Sequence, residues 1–238
     1  MPYSFRIRLI PLLVTIVLCV LGLSLGQWQS RRALEKDEIA SAMRQRGQMP
    51  PLESTEIVAS SKDIVYRKLV LSGSFVREWV LYLDNRPLHG VAGFYVLMPF
   101  KIQGSAQHVM VVRGWQPRNP ANRLQMSALT TPEGIIKLEG VARHGVDRVM
   151  QLGQPEAISP GVIVQNLVVA DAAKQTGLRM FDFVLEQTSD SSDGLQRDWP
   201  MPSAGADKHR AYAFQWYALS LMAVIFFVVT GFRRGKNR

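Results

Sequence analysis

The chain has 238 residues, 47% of them hydrophobic, a single cysteine and a formal net charge of +9. That length holds one soluble domain of ordinary size plus accessory segments, and the lone Cys19 excludes an intrachain disulfide framework. Six of the positive charges sit at Arg6, Arg8, Arg233, Arg234, Lys236 and Arg238, leaving about +3 between them; no basic helix or aromatic-basic platform occurs, so nucleic acid is set aside as a partner.

Arg6 and Arg8 precede a run that carries no charge from Leu9 to Ser30. At ~1.5 Å per residue it is long enough to cross a bilayer, which predicts a tail over 1–8 and a membrane-spanning helix over 9–29. A cleavable signal peptide is the rival reading, with Ser24-Leu25-Gly26 as the cut site; the apolar run is long for an h-region, which favours an uncleaved anchor. Gly22 and Gly26 make a Gly-x-x-x-Gly pair, either a contact face for a second span or a chance occurrence in an apolar run. Residues 31–46 mix charges with Leu34, Ile39 and Met43, and read as the helix continuing into solvent until Gly47 and Pro50-Pro51 stop it.

The period then changes. Segments 68–75, 79–83, 94–98, 108–112, 134–141 and 180–186 are short, rich in branched and aromatic residues, and bounded by turn residues. Six such strands imply a mostly antiparallel sheet or barrel. In 180–186, Phe181, Phe183 and Leu185 are expected to face a core while Asp182, Val184 and Glu186 face water. Residues 170–177 suggest a short helix closed by glycine. From Thr188 to Asp207 the Ser, Asp, Gly and Pro content, with Trp199-Pro-Met-Pro, predicts an extended linker.

Residues 211–232 are again uncharged, bracketed by Lys208-His209-Arg210 and by the basic C-terminal residues. A second span is predicted over 209–232, with a basic tail over 233–238. Arginine-rich tails at both ends put both termini in the cytoplasm and residues 30–208 outside it. The expected fold is α+β: two transmembrane helices flanking an extracytoplasmic β-rich domain, anchored in a lipid bilayer. No Arg- and Ser-rich presequence precedes the first span, which favours a bacterial inner membrane over a mitochondrial one.

Motifs for catalysis are missing: there is no His-Glu-x-x-His, Walker loop, dinucleotide fingerprint or Gly-x-Ser-x-Gly elbow. The ten methionines are dispersed, which argues against copper carriage. His89, His108 and His144 read as solvated loop residues. His209 is different, because Tyr212 and Trp216 follow it at helical spacing, Lys208 and Arg210 flank it, and Arg31, Arg32 and Lys36 are expected at the same depth. Such a set suits a flat, hydrophobic, anionic cofactor: imidazole on iron, aromatic faces over a porphyrin, Arg32, Lys36 and Arg210 on its propionates. Taken alone, the same residues favour an interfacial belt of aromatic and basic anchors.

Four stretches together carry a resemblance: Gly26-Gln-Trp-Gln-Ser-Arg-Arg-Ala-Leu-Glu-Lys36, Gly93-Phe-Tyr-Val-Leu-Met-Pro-Phe100, Arg113-Gly-Trp115 and His209-Arg-Ala-Tyr-Ala-Phe-Gln-Trp216. The chain resembles the surfeit locus protein family of cytochrome c oxidase assembly factors over both spans and the domain between. The family pattern falls on Gly26, Trp28, Gln29, Arg32 and Lys36, and on His209, Tyr212, Ala213 and Trp216; Val112 stands where many relatives carry Asn. The resemblance implies a non-enzymatic factor that assists delivery of haem a to subunit I of an aa3-type oxidase, or maturation of its haem site. His209 would then be the iron ligand, and subunit I and haem a synthase the partners. A scaffold that steadies subunit I or the synthase without carrying haem is the alternative, and an anchored extracytoplasmic enzyme a third, lacking any nucleophile-base pair.

Overall fold

The computed structural model describes residues 3–5, 7–59, 64–122, 125–151, 153–199 and 205–234. In chain order the elements are β1 (Tyr3–Phe5), α1 (Leu9–Gly47), β2 (Leu52–Glu53), α2 (Ser54–Ala59), β3 (Lys68–Phe75), β4 (Leu81–Leu83), β5 (Gly93–Ile102), β6 (His108–Pro117), β7 (Ile136–Arg143), β8 (Ile163–Val164), α3 (Val169–Thr176), β9 (Met180–Gln187), α4 (Ala206–Gly231) and β10 (Phe232–Arg234). They fall into two compact units, residues 43–200 and residues 1–42 with 201–238.

In the first of these, β3 pairs with β7, β7 with β9, β9 with β6, β6 with β5, and β5 back with β3. Five strands thus close into a barrel, which removes the exposed edges an open sheet would leave. All its pairings are antiparallel except that of β6 with β9. β2, β4 and β8 extend the sheet from β3 and β5. Leu69, Leu71, Phe100, Val111, Leu138 and Leu185 fill the interior with no exposure, each contributing about 1.5–3 kcal/mol by leaving water. A second core lies where Leu83, Leu97, Val112 and Val184 meet Leu167 and Ala172 of the segment around α3. Two cores explain why β5 and β6 are buried on both faces instead of alternating.

That arrangement overturns three expectations. Val184 is buried and Glu186 largely so, leaving Asp182 as the wet residue of β9, because β9 lies between β7 and β6 and its second face meets the outer core. His108 is 7% exposed, its backbone N–H donating to Arg179 O. Residues 188–199 are not a free linker: Asp193 is buried, and Trp199 packs edge-on against Tyr95 at 5.4 Å while its indole N–H donates to Gln187 O. Residues 200–204 lie outside the described set.

The other unit is an antiparallel helix pair. Both helices have the length and apolarity to cross a membrane, and only 11% of either apolar stretch is buried, unlike the core helix of a soluble protein. Large side chains such as Leu13, Val17, Phe214 and Phe226 point outward, while the seam is lined by Gly22, Gly26 and Ala33 on α1 and Ala206, Ala213, Ser220 and Gly231 on α4. Small residues inside and large ones outside is the pattern of helices packed in lipid. Shielded positions recur every three or four residues, at Leu12, Thr15, Cys19, Gly22, Gly26, Gln29 and Ala33, the 3.5-residue period of a left-handed coil. β1 and β10 pair antiparallel beyond the helix ends.

Candidate functional site

The Gly-x-x-x-Gly pair is the contact face. A Cβ added at Gly22 would stand 2.0 Å from Ser220 Oγ, and one at Gly26 would stand 2.4 Å from the Tyr217 ring. Close approach there lets polar groups near the seam reach across. Cys19 Sγ faces Ser220 O at 3.6 Å, Ser30 Oγ meets the Tyr217 hydroxyl at 3.3 Å, and His209 Nδ1 lies 2.7 Å from Gln29 Oε1. The next residue on α4, Arg210, donates to Asp37 at 2.5 Å on α1 and to Asp207 at 2.8 Å on its own helix.

The carbonyl oxygen of Gln29 can only accept, so Nδ1 of His209 carries the proton in this bond, and a neutral ring then keeps its lone pair at Nε2. Among the described residues, none is bonded to Nε2. His209, Tyr212 and Trp216 share one strip of α4, and Gln29, Arg32 and Lys36 one strip of α1, each at i, i+3, i+7. His209 and Trp216 are half-buried, whereas Tyr212 is 54% exposed. Arg32 is paired with Glu35 at 2.7 Å, and Lys36 is exposed.

Sequence reasoning put Arg210 and Arg32 forward as free cations for an anionic ligand; the fold gives both carboxylate partners. These pairs are about half exposed, so each is worth at most about 1 kcal/mol and exchanges readily. Sequence reading also gave Gln29 no chemical role, although a neutral amide in an otherwise uncharged run was the available signal.

Arg113 belongs to the barrel. It is the extra residue of a β-bulge, since Val96 pairs with Gly114 and Leu97 with Val112, and the bulge aims its side chain into the barrel's end. There the guanidinium is fully buried, 4.6 Å above the Phe75 ring, donating to Thr131 Oγ1 at 2.7 Å, Thr130 O at 2.9 Å and Asp193 Oδ2 at 2.7 Å. Arg197 reaches the same carboxylate oxygen at 2.6 Å. Burial pulls the Arg113 pKa below its ordinary value, and Asp193 opposes that pull. Trp115 donates its indole N–H to Arg86 O at 2.6 Å and exchanges backbone bonds with Gln196. Arg113-Gly-Trp115 therefore clamps residues 193–199 to the barrel wall. Val112, in the register beside it, packs into the outer core, where an apolar side chain fits.

Two further features bear on chemistry. Glu186 accepts from Arg143 at 2.7 Å, and burial raises its pKa while Arg143 lowers it in part. A cavity of about 720 Å³ lies between Asp84, Arg118, Gln154, Glu156 and Asn166, but Asp84 and Arg118 are joined to each other and Asn166 is used by Val149 and Gln151. Among the described residues no group of three or more His, Cys, Asp or Glu side chains could hold a metal.

The sequence profile of the SURF1 family matches residues 15–221. A SURF1-like protein of Rickettsia bellii is 25% identical over 226 residues, covering 90% of this chain and 87% of its own. One from Monosiga brevicollis is 23% identical, covering 92% and 86%. Cytochrome oxidase assembly protein SHY1 of Saccharomyces cerevisiae is 26% identical over 98 residues, which is 40% of this chain and 25% of that one.

Proposed function

Because the chain belongs to the SURF1 family, we propose that it is a membrane-anchored, non-enzymatic assembly factor for cytochrome c oxidase that helps haem a reach, or settle in, subunit I. The yeast relative's name supports the oxidase as the object of assembly. In this reading α1 and α4 cross a bacterial inner membrane, with both tails cytoplasmic and the barrel periplasmic. Their outward Leu, Val and Phe side chains support a lipid surrounding, and the arginine-rich tails support the orientation.

The observation that carries the haem part is the His209–Gln29 bond. An imidazole held at Nδ1, with Nε2 unbonded, has the donor set of an axial iron ligand with its outer-shell partner. Tyr212 and Trp216 offer ring faces on the same strip, and Lys36 an exposed cation; these residues fit a planar, anionic, iron-bearing cargo. His209 would hold the iron, and Arg32, Lys36 and Arg210 would pair with propionates, the two arginines after leaving Glu35, Asp37 and Asp207. Haem a synthase is the expected donor of the cargo and subunit I its acceptor.

Those same carboxylate pairs favour a second reading, in which the helices grip subunit I or the synthase and carry no haem. Complementation separates the two. In cells lacking their own factor, His209→Ala is expected to lower oxidase haem a content several-fold at unchanged protein level. Normal haem content with His209→Ala, and loss with Trp28→Ala, supports the scaffold instead.

A further inference from the structure

We infer that Gln29 is the positioning residue of this site: its side-chain oxygen, reaching across the helix seam, fixes His209 as the Nδ1–H tautomer and so reserves Nε2 for a ligand. The inference rests on the reading of His209 as an iron ligand, but its first half concerns the protein alone. A neutral imidazole has two tautomers, and the bond made at one nitrogen decides which nitrogen keeps the lone pair. Gln29 Oε1 stands 2.7 Å from Nδ1, and Nε2 lies on the far side of the five-membered ring. The acceptor is an amide and not a carboxylate, so it orients the ring without adding charge beside it. Arg210, the next residue, carries the electrostatic tie to α1 through Asp37 instead.

The bond is built into the packing. Gln29 follows Gly26 by three residues on α1, and His209 precedes Ala213 by four on α4. Both thus lie inside the small-residue seam that sets how the helices meet, Gln29 between Gly26 and Ala33 and His209 between Ala206 and Ala213. A slip of one turn along the seam, about 5.4 Å, parts the two side chains. Gly22, Gly26, Ala213 and Ser220 are therefore the upstream cause of the ligand geometry.

The test uses the full chain in lipid nanodiscs with ¹⁵N-labelled histidine, the His209 signal being assigned by its loss in His209→Gln. The expected result is a protonated Nδ1 and a bare Nε2 in the parent, a mixture of tautomers in Gln29→Leu, and a retained Nδ1–H form in Gln29→Glu, which keeps an acceptor. Ferric haem is then titrated into each protein. Gln29→Leu is expected to bind about 10–100-fold more weakly. Haem bound to Gln29→Glu is expected to have a lower midpoint potential, because a carboxylate on Nδ1–H makes Nε2 a stronger donor. An Nε2–H tautomer in the parent, or tautomer and affinity unchanged in Gln29→Leu, overturns the inference while haem binding through His209 stands. Tautomers that shift as expected, with haem bound by neither protein, overturn the ligand reading and leave the role of Gln29 in place.

Discussion

The helix pair and the barrel hold themselves together by opposite means. In the barrel, large apolar side chains are inside, and Arg113, the one fully buried cation among the described residues, has partners on several sides. In the helix pair, large side chains are outside, the seam is made of Gly, Ala and Ser, and polar ties such as His209–Gln29 are half-accessible. Both terminal amino groups of Arg113 are committed to that buried network, whereas the half-buried His209 keeps a nitrogen in reserve. That contrast is why the site is assigned to the helices and the Arg113 cluster to stability.

The sharpest way to break the comparison is to remove Asp193. Arg113 would then be a buried cation without its counterion, and a loss of about 3–5 kcal/mol is expected, read as thermal or denaturant unfolding of the purified full chain. A loss below about 1 kcal/mol would mean that the clamp on residues 193–199 is dispensable. Next in size is Gly22→Val, whose Cβ would meet both Ser220 Oγ and, at 3.0 Å, Trp216 O. Overpacking of this kind costs about 1–3 kcal/mol, measured for helix-pair separation by steric trapping in bicelles, with the barrel's melting unchanged.

Glu186 gives a pH signature. Its folded pKa is raised by burial, Arg143 opposing, so between its ordinary value and the raised one the folded chain binds more protons than the unfolded chain. Stability is then highest below the ordinary carboxylate range and falls as pH rises through the raised pKa. Glu186→Gln is expected to remove that slope from melting curves taken across acid to neutral pH. The smallest effect belongs to Asp37→Asn: an exposed pair is worth at most about 1 kcal/mol, so melting should barely move while the salt dependence of anionic-ligand binding does.

Much of the architecture was legible because its signals are local. Uncharged runs mark α1 and α4, and branched, aromatic segments bounded by turn residues mark β3, β5, β6, β7 and β9. What escaped depends on contacts distant in sequence. The pairing of β3 with β5 closes the barrel, and nothing in either strand announces it. The apolar face of Val184 looked wet because alternation was assumed, where a second core covers the other side. Residues 188–199 have the composition of a linker, yet Asp193 and Trp199 bind the barrel through partners many residues away. In the site, the strip His209, Tyr212, Trp216 follows from helical spacing alone. The role of Gln29 does not, because it depends on how two helices meet, and neither does the capture of Arg210 by Asp37.

The most direct measurement is an optical absorption spectrum of the full-length protein purified from cells that make haem a, beside its His209→Ala variant. The account expects a Soret band in the parent that is lost in the variant, while an Asp193 variant that still folds retains it. A band of equal intensity in both proteins, or none in either, contradicts the assignment of His209 as the ligand.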